Sequence, residues 1–241
     1  MKYLLIPINI VQITIILVWT AVCGIVGMLL MLITRNGQWV HMINGRYLWS
    51  PIVCAISLVR IRVTGLEKID KSKARIYVAN HESHYDIVAL SRVMPIGLFF
   101  IAKKELSKVP VLGQYMHLIG HIFVDRGNKD AAKKSMIAAA EKIKSGRNVI
   151  SFPEGTRSKT GEMGLFKRGS FVIAKEGGID IVPIAITGSG KVLKSGTYSI
   201  FPGTIHVYIG DVITQAEHAL LDSDQLATYT RDKIISIQKS A

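Results

Sequence analysis

Cysteine is nearly absent from this sequence, since only Cys23 and Cys54 occur among its 241 residues. Two cysteines exclude the disulfide framework typical of small secreted proteins, and this usage favours a reducing compartment. No histidine or other base motif adjoins either residue, so we interpret both as small apolar side chains. Internal repeats, low-complexity segments and long linkers are also missing, and the length suits one domain with an appendage.

Short motifs that mark several enzyme classes are missing as well. The sequence contains no Gly-x-Ser-x-Gly nucleophile elbow, no Gly-x-x-x-x-Gly-Lys-Ser/Thr phosphate loop and no Gly-x-Gly-x-x-Gly dinucleotide motif. The His-Glu-x-x-His spacing of zinc proteases is not met, because His81 and His84 are three positions apart. A metal site at residues 81–86 would need further ligands, for which His117 and His121 are the nearby candidates. We therefore predict neither a metal nor a cofactor.

Acidic residues are scarce relative to basic ones. Thirty Lys and Arg against seventeen Asp and Glu give a formal net charge of +13. Such an excess indicates acidic partners, among which nucleic acid, anionic lipid and acidic carrier proteins all qualify. Nucleic acid is disfavoured, because the sequence has neither zinc-finger spacing nor an RNA-binding aromatic motif and carries a long apolar segment.

Charge is absent altogether from Tyr3 to Ile33. About 20 apolar residues cross a bilayer core, so this run is long enough to span one. It is too long for the apolar region of a cleaved signal peptide, and no Ala-x-Ala-like site closes it. A lone Lys2 precedes the run, and four arginines follow it, which predicts that the C-terminal part faces the cytoplasm. These arginines are Arg35, Arg46, Arg60 and Arg62.

A second apolar stretch, Tyr47–Val59, is only about a dozen residues long and too short for a full span. Trp39 and Trp49 beside it are side chains favoured at the lipid headgroup level. We interpret Trp39–Val59 as an interfacial or partly inserted helix, although both segments together can also form a hairpin in one leaflet. The predicted organisation is a membrane-anchoring part at residues 1–62 and a catalytic domain at residues 63–241.

From Ile61 onward, short β-branched or aromatic runs alternate with helical patterns. This alternation predicts an α/β fold with a mainly parallel or mixed sheet flanked by helices, preceded by the membrane-embedded segment. The predicted strands are Arg75–Ala79, Leu98–Ala102, His121–Val124, Asn148–Phe152, Ile181–Ile186 and Thr204–Ile209. The predicted helices are Tyr85–Met94, Asp130–Lys144 with Asp130 as its cap, Ser170–Glu176 and one near Ser223–Gln238.

A histidine and an aspartate, His81 and Asp86, follow the first of these strands at a spacing of five. Positions five apart lie on different faces of a helix, so the two side chains can meet only if His81 lies in the turn before it. Ser83 and Asp86 fit the Ser-x-x-Asp capping pattern, with Ser83 as N-cap. Asp86 can therefore serve only as a cap, or it can also orient His81 as a base. Its position at a strand's carboxyl end favours the second interpretation.

Cations follow several other predicted strands. Arg157 lies in Phe152-Pro153-Glu154-Gly155-Thr156-Arg157-Ser158, and Arg126 ends Gly120-His121-Ile122-Phe123-Val124-Asp125-Arg126. Lys103 follows the predicted strand Leu98–Ala102, and Lys167 lies in Phe166-Lys167-Arg168-Gly169-Ser170, just before a predicted helix. A guanidinium suits a phosphate, and glycine lets the backbone approach a ligand closely. Each segment alone can be an ordinary turn with a surface cation, but together they indicate a site for a phosphate-bearing substrate.

These motifs, in this order, resemble those of the glycerolipid acyltransferase family, in particular its 1-acylglycerol-3-phosphate acyltransferases. The matching segments are Asn80-His81-(x)4-Asp86, Gly120-(x)2-Phe123-Val124-Asp125-Arg126, Phe152 to Ser158, and Ile181-Val182-Pro183-Ile184. The resemblance implies transfer of a fatty acyl group from acyl-CoA or acyl carrier protein to lysophosphatidic acid, giving phosphatidic acid. It also implies catalytic roles for His81 and Asp86. The implied phosphate-binding residues are Arg126, Glu154, Gly155, Thr156, Arg157, Lys103 and Lys167, supported by Asn80, Ser83, Gly120, Phe123, Pro153 and Pro183.

The expected partners are membrane lipids, lysophosphatidic acid and the thioester donor, without nucleic acid. The expected location is a bacterial-type inner membrane, with the catalytic domain facing the cytoplasm. Two enzymatic alternatives stay open: the same chemistry on glycerol-3-phosphate or another lysophospholipid, and a membrane-anchored metal-dependent hydrolase. A non-enzymatic module that only binds anionic lipid is a third alternative, which leaves the order of the motifs unexplained.

Overall fold

The computed structural model describes residues 2–125, 127–158 and 160–240. Its N-terminal part is helical. Helix α1 (Lys2–Thr34) is followed by α2 (Gly37–Ile43), a π-helical turn (Asn44–Trp49) and α3 (Ser50–Ser57). Among the described residues, one helix is long and apolar enough to cross a membrane, over Pro7–Thr34.

The remainder alternates strands with helices, as predicted. The strands are β1 (Val59–Thr64), β2 (Ile76–Ala79), β3 (Leu98–Lys103), β4 (Ile122–Val124), β5 (Asn148–Ser151), β6 (Ile181–Thr187) and β7 (Gly203–Ile209). The helices are α4 (Tyr85–Val93), α5 (Leu112–Ile119), α6 (Lys129–Lys144), α7 (Gly169–Gly177), α8 (Ser189–Val192), α9 (Gln215–His218) and α10 (Ser223–Lys239). Two 3₁₀ turns, Leu66–Lys68 and Lys104–Lys108, complete the described elements.

The seven strands form one sheet in the order β1-β7-β6-β2-β5-β3-β4. All neighbouring pairs are parallel except β6 and β7, which are antiparallel. This mixed sheet confirms the predicted fold class. Because β2 to β6 run in the same direction, the loops that follow these strands all open on one edge, where α/β folds place their active sites.

Alternate residues of the central strands supply two hydrophobic cores, one on each face of the sheet. Tyr77 and Ile150 belong to the core that also contains α3 and α4. Ile76 and Val149 belong to the core beneath α6, α7 and α10. All four side chains are fully buried. The strands are therefore held from both faces, which gives the loops at their carboxyl ends a rigid base.

Strand β1 corrects the sequence interpretation. The segment around Val59 was predicted to end an interfacial helix, and Arg60 and Arg62 to flank a membrane segment. Instead, Val59–Thr64 pairs with β7 from Val59 opposite Gly203 to Thr64 opposite Tyr208. The alternation of apolar Val59, Ile61 and Val63 with polar residues is the period of a strand. The expected domain boundary at residue 62 lies inside this strand.

Two local predictions also need correction. The cap of α6 is Asn128, whose Oδ1 accepts a hydrogen bond from the Ala131 N–H at 3.0 Å, so the predicted cap Asp130 lies within the helix. Helix α5 was not predicted, because eight residues span little more than two turns.

Pro183 occurs inside β6, although proline is rare in central strands. Its carbonyl accepts from the Gly210 N–H at 2.8 Å, one position beyond the end of β7.

Helix α1 packs against the rest of the protein along most of its length. Near its start, Asn9 Oδ1 accepts a hydrogen bond from the Ile200 N–H at 2.6 Å. Farther along, Thr20 Oγ1 accepts from Trp49 Nε1 at 2.9 Å, and a Cβ atom on Gly27 would lie 2.3 Å from the Tyr115 ring. The opposite face exposes apolar side chains. They are Ile8, Ile10, Val11, Ile15, Leu17, Val18, Val22, Ile25, Leu29, Leu32 and Ile33.

Candidate active site

The loop after β2 is held at its start by Asn80. Its side-chain amide donates to the Ile186 carbonyl at 2.8 Å, and its oxygen accepts from the Ile186 N–H at 2.7 Å. The side chain thus continues the pairing of β2 with β6 by one position beyond the strand. This fixes the backbone immediately before His81.

His81 lies in the turn before α4, and its Nδ1 is 2.7 Å from Asp86 Oδ2. The same oxygen accepts hydrogen bonds from the Glu82 N–H at 2.8 Å and the Ser83 N–H at 2.9 Å. Asp86 is fully buried, whereas 15% of the His81 side chain is exposed. A carboxylate at Nδ1 favours the tautomer with its proton on Nδ1, which leaves Nε2 as an acceptor. The arrangement can therefore remove a proton from a bound hydroxyl.

The predicted cap and the predicted pair coexist. His84 immediately precedes α4 and already has helical backbone angles, with φ −62° and ψ −23°, but its own side chain makes no capping hydrogen bond. The Tyr85 N–H donates to Ser83 Oγ at 3.2 Å, and Asp86 accepts from the Ser83 N–H in return. Ser83 Oγ also donates to the Leu193 carbonyl at 2.7 Å. One carboxylate thus starts the helix and holds the imidazole.

The turn after β5 fixes His81 from the other side. The ring of Phe152 stacks on the His81 imidazole, with centroids 4.2 Å apart and an interplanar angle of 19°. Glu154 Oε1 accepts from the His81 N–H at 2.7 Å, and the Ser158 N–H donates to the His81 carbonyl at 2.8 Å. The sequence analysis missed Phe152 as a site residue, although it lies at the end of a predicted strand.

Glu154 differs from its predicted use as a phosphate contact. Its second carboxylate oxygen accepts from the Gly164 N–H at 2.9 Å, and the residue is 8% exposed. Burial raises the pKa of the Glu154 carboxyl, while the two backbone hydrogen bonds oppose that rise. Both oxygens are engaged with backbone amides, and a carboxylate repels a phosphate. The structure therefore gives Glu154 a positioning role toward His81.

Arg157 and Lys167 are the predicted cations that the structure places at the turn after β5, where Glu154 accepts from the His81 N–H. Lys167 Nζ lies over the turn, since a Cβ atom on Gly155 would lie 2.9 Å from it, and Gly155 has a left-handed φ of 75°. Pro153 accepts from the Lys167 N–H at 2.9 Å. Partial desolvation, followed by repulsion from the nearby Arg157 guanidinium, lowers the pKa of His84. No carboxylate of the described residues forms a salt bridge with Arg157 or Lys167.

The other residues predicted for the site have different surroundings in the structure. Lys103 is exposed at the end of β3 and pairs with Glu105 at 3.0 Å. Thr156 is exposed within the turn. Gly120 ends α5 with a left-handed φ of 104°, which glycine adopts readily, and Phe123 is half-buried in β4. Arg126 lies outside the described residues.

No three His, Cys, Asp or Glu side chains are placed to hold a metal ion together within residues 2–125, 127–158 and 160–240.

Glu82 is a second residue that the sequence analysis did not assign to the site. Its carboxylate lies against α8, since a Cβ atom on Gly190 would be 2.9 Å from Glu82 Oε2. Burial, followed by repulsion from the Asp86 carboxylate, raises the pKa of Glu82 to about 7. The segment after β6 therefore lies against the loop that carries His81. Its Gly188-Ser189-Gly190 sequence is the signal that could have indicated this close approach of the two backbones.

Replacing Glu82 by glutamine is expected to make stability less dependent on pH. Because the folded-state pKa is raised from 4.5 to about 7, the wild-type carboxyl destabilises the fold increasingly as pH rises through this interval. Glu82→Gln should match the wild-type melting temperature below pH 4.5 and exceed it above pH 7. Thermal unfolding across this range tests it, with exposed Glu176→Gln as the control. A constant difference at every pH would contradict the expectation.

Residues 60–187 match the model of a protein family described as Acyltransferase. The chain is 32% identical over 191 residues to the chloroplastic 1-acyl-sn-glycerol-3-phosphate acyltransferase LPAT1 of Arabidopsis thaliana, covering 78% of this chain and 51% of that protein. It is 35% identical over 153 residues to the 1-acyl-sn-glycerol-3-phosphate acyltransferase of Helicobacter pylori, covering 63% and 64%. The chain spans about half the length of several curated relatives it matches.

The fold also has a solved counterpart. The crystal structure of the 1-acyl-sn-glycerophosphate acyltransferase PlsC from Thermotoga maritima superposes with a TM-score of 0.84. The match covers 99% of this chain and 96% of that one at 24% sequence identity.

Proposed function

This chain belongs to the acyltransferase family, and from this premise we propose that it acylates the sn-2 hydroxyl of lysophosphatidic acid to give phosphatidic acid. The donor is an acyl thioester, either acyl-CoA or acyl carrier protein. The observation that carries the proposal is the 2.7 Å contact between His81 Nδ1 and Asp86 Oδ2, with Nε2 left as the acceptor. The names of the curated relatives support the choice of acceptor.

The chemistry requires a base and little else. A thioester is already activated, whereas an alcohol is a weak nucleophile at neutral pH. His81 Nε2 takes the hydroxyl proton as the oxygen attacks the thioester carbonyl carbon, and Asp86 stabilises the imidazolium that forms. The tetrahedral intermediate then expels the thiolate, which receives the proton from His81. An ester and a free thiol result, with no covalent enzyme intermediate.

Arg157 and Lys167 would hold the acceptor phosphate beside His81. The two cations lie next to the turn that stacks on the imidazole, and neither is engaged by a carboxylate of the described residues. Fixing the phosphate positions the hydroxyl for attack, which can supply a large part of the barrier reduction. Thr156, Lys103 and Arg126 remain further candidates for this binding.

Arg157→Ala is expected to raise KM for lysophosphatidic acid with a smaller effect on kcat. A charge-assisted hydrogen bond is worth about 1.5–3 kcal/mol, which corresponds to a KM increase of roughly 10–100-fold. Steady-state kinetics with varied acceptor and saturating donor measure it. Lys233→Ala on α10 is the matched control and should leave KM unchanged. An unaltered KM in Arg157→Ala would remove Arg157 from the phosphate site.

One assay separates the proposed reaction from its alternatives. The purified protein in detergent is offered lysophosphatidic acid or glycerol-3-phosphate, each with acyl-CoA and with acyl carrier protein, and products are identified by mass spectrometry. Phosphatidic acid from the first acceptor is the expected result. Acylation of glycerol-3-phosphate alone would assign the sister specificity. Hydrolysis abolished by EDTA would instead favour the metal-dependent hydrolase.

The same proposal includes a membrane location, for which the packing of α1 favours a one-leaflet arrangement over a crossing helix. Contacts from Asn9 to Gly27 span about 27 Å at 1.5 Å per residue, close to the thickness of a bilayer core. If α1 crossed the bilayer, its partners Ile200, Trp49 and Tyr115 would lie at the same depth together with their polar surroundings. The exposed apolar face of α1 therefore enters one leaflet while the α/β domain stays in the cytoplasm.

Cysteine labelling tests this arrangement. Lys2→Cys and Asn36→Cys are made separately in a background where Cys23 and Cys54 are alanine. In the one-leaflet arrangement, a membrane-impermeant maleimide should reach both positions in inverted inner-membrane vesicles and neither in spheroplasts. Labelling of position 2 in spheroplasts and of position 36 only in inverted vesicles would show a crossing helix.

A further inference from the structure

An open groove of ≈ 520 Å³ lies between α3, the edge strand β1 and the end of α4, apart from the site around His81. Arg92 at its rim belongs to the last turn of α4, whereas His81 precedes the first. Seven residues of α4 lie between the two, which separates them by at least about 10 Å along the helix axis. The lining residues are Pro51, Cys54, Ala55, Val59, Arg60, Ile61, Arg62 and Arg92.

Three of the residues that line this groove are arginines. Arg60, Arg62 and Arg92 are all exposed, and none forms a salt bridge with an acidic side chain of the described residues. Arg92 Nη1 donates to the Arg46 carbonyl at 3.4 Å, which holds its head group near the groove. Guanidinium groups match phosphate oxygens bidentately, so this charge arrangement suits a phosphate.

Several apolar side chains in and next to α3, the helix on one side of the groove, are exposed, and we call them the apolar border. Ile52 on α3 is 41% exposed, Tyr47 is 62% exposed, and Leu58, which follows α3, is 68% exposed. Leu58 has a left-handed φ of 53°, a conformation that usually selects glycine or asparagine. In water, an exposed leucine at such a position adds backbone strain without burying apolar area. In a bilayer, however, it adds buried apolar area beside the exposed face of α1.

We propose that this groove binds the headgroup phosphate of an anionic membrane phospholipid, with the acyl chains against Ile52 and Leu58. The arginines then lie at the headgroup level while the apolar border enters the acyl region. An acidic protein has the same sign of charge, but it would have to approach through the surface that faces the membrane. The inference rests on the proposed placement of α1 and is independent of the acyl-transfer chemistry.

The test is flotation of the full-length protein, transferred from detergent, with vesicles of phosphatidylcholine alone or mixed with phosphatidylglycerol. Each arginine near an anionic surface contributes about fivefold in partitioning, so removing three should cost roughly 100-fold. The triple variant Arg60→Gln, Arg62→Gln, Arg92→Gln should show this loss on the mixed vesicles only. The triple lysine variant at the same positions should retain most of the binding, because it keeps the charge.

A charge-matched control decides whether the groove or the net charge is responsible. Lys144→Gln, Lys233→Gln, Lys239→Gln removes three exposed cations from α6 and α10, and it should lose far less binding than the arginine variant. Equal losses in both variants, or no loss in the arginine variant, would overturn the proposal. The proposal would also be overturned if the wild-type protein bound both kinds of vesicle equally. The same holds if soluble glycerol-3-phosphate abolished its binding to the mixed vesicles.

Activity separates this proposal from the proposed function. In neutral detergent, kcat of the arginine variant on lysophosphatidic acid should equal that of the wild type. A selective loss of activity with acyl carrier protein as donor, with vesicle binding intact, would reassign the groove to an acidic protein. Inactivity of the wild-type protein would contradict the acyl-transfer proposal and leave the flotation result to stand alone.

Discussion

Replacing His81 by alanine is expected to reduce kcat by about 10²–10⁴-fold, the usual share of a positioned general base. The imidazole is the group that would take the proton of the acceptor hydroxyl. Its removal leaves Asp86 buried but still hydrogen-bonded to the Glu82 and Ser83 amides, so α4 should keep its start. The measurement is kcat with lysophosphatidic acid in detergent, with circular dichroism and thermal unfolding to verify the fold.

His84→Ala is the matched control, because His84 lies three residues away and is exposed. It should retain a kcat near that of the wild type. If His81→Ala retained the wild-type rate, the base would have to be sought elsewhere, and the proposed mechanism would be wrong.

Asp86→Asn is expected to lower kcat by about 10²–10⁴-fold, although it changes a single atom. In serine triads, the equivalent exchange costs about 10⁴-fold because the histidine takes the wrong tautomer. An asparagine NH2 group facing Nδ1 would move the ring proton to Nε2 and remove the acceptor, whereas an amide oxygen kept in place by the Glu82 and Ser83 N–H groups would hold the ring without a charge. The negative charge that stabilises the imidazolium is lost at the same time.

A double variant separates this effect from simple loss of structure. Asp86 is fully buried, so the exchange can also destabilise α4. If Asp86 acts through His81, the variant His81→Ala, Asp86→Asn should be hardly slower than His81→Ala alone. Fully multiplicative losses would show that Asp86 contributes independently of the imidazole, which contradicts the proposed role.

The local pattern of the sequence was enough to predict most of the strands of the fold. The six predicted strands all exist with ends within about two residues, because β-branched runs and strand-helix alternation are local properties. Strand β1 was missed, since Arg60 and Arg62 have the same appearance in a membrane flank as in an edge strand. Its partner β7 lies some 140 positions away along the chain, and such pairing has no local signal.

The same distinction holds at the site. Helix geometry and the capping pattern showed within six residues where His81 must lie if it contacts Asp86, and the position after a strand favoured that contact over a cap alone. The Phe152 stacking, the Glu154 hydrogen bond and the Asn80–Ile186 pairing depend on β2 lying between β5 and β6. Sheet order is decided by the packing of the whole domain. The sequence therefore predicted that Glu154 belongs to the site, but not that it accepts a hydrogen bond from the His81 N–H. For the same reason it could not indicate Glu82 beside Gly190.

The hydrogen bond between Asn9 and Ile200 joins residues 191 positions apart. At synthesis rates of 5–20 residues per second, Asn9 waits on the order of 10–40 s for its partner to leave the ribosome. Throughout this time Asn9 lacks its partner, and in the proposed membrane location the bilayer would cover the apolar face of α1. The first helix to be made is therefore among the last to complete its contacts.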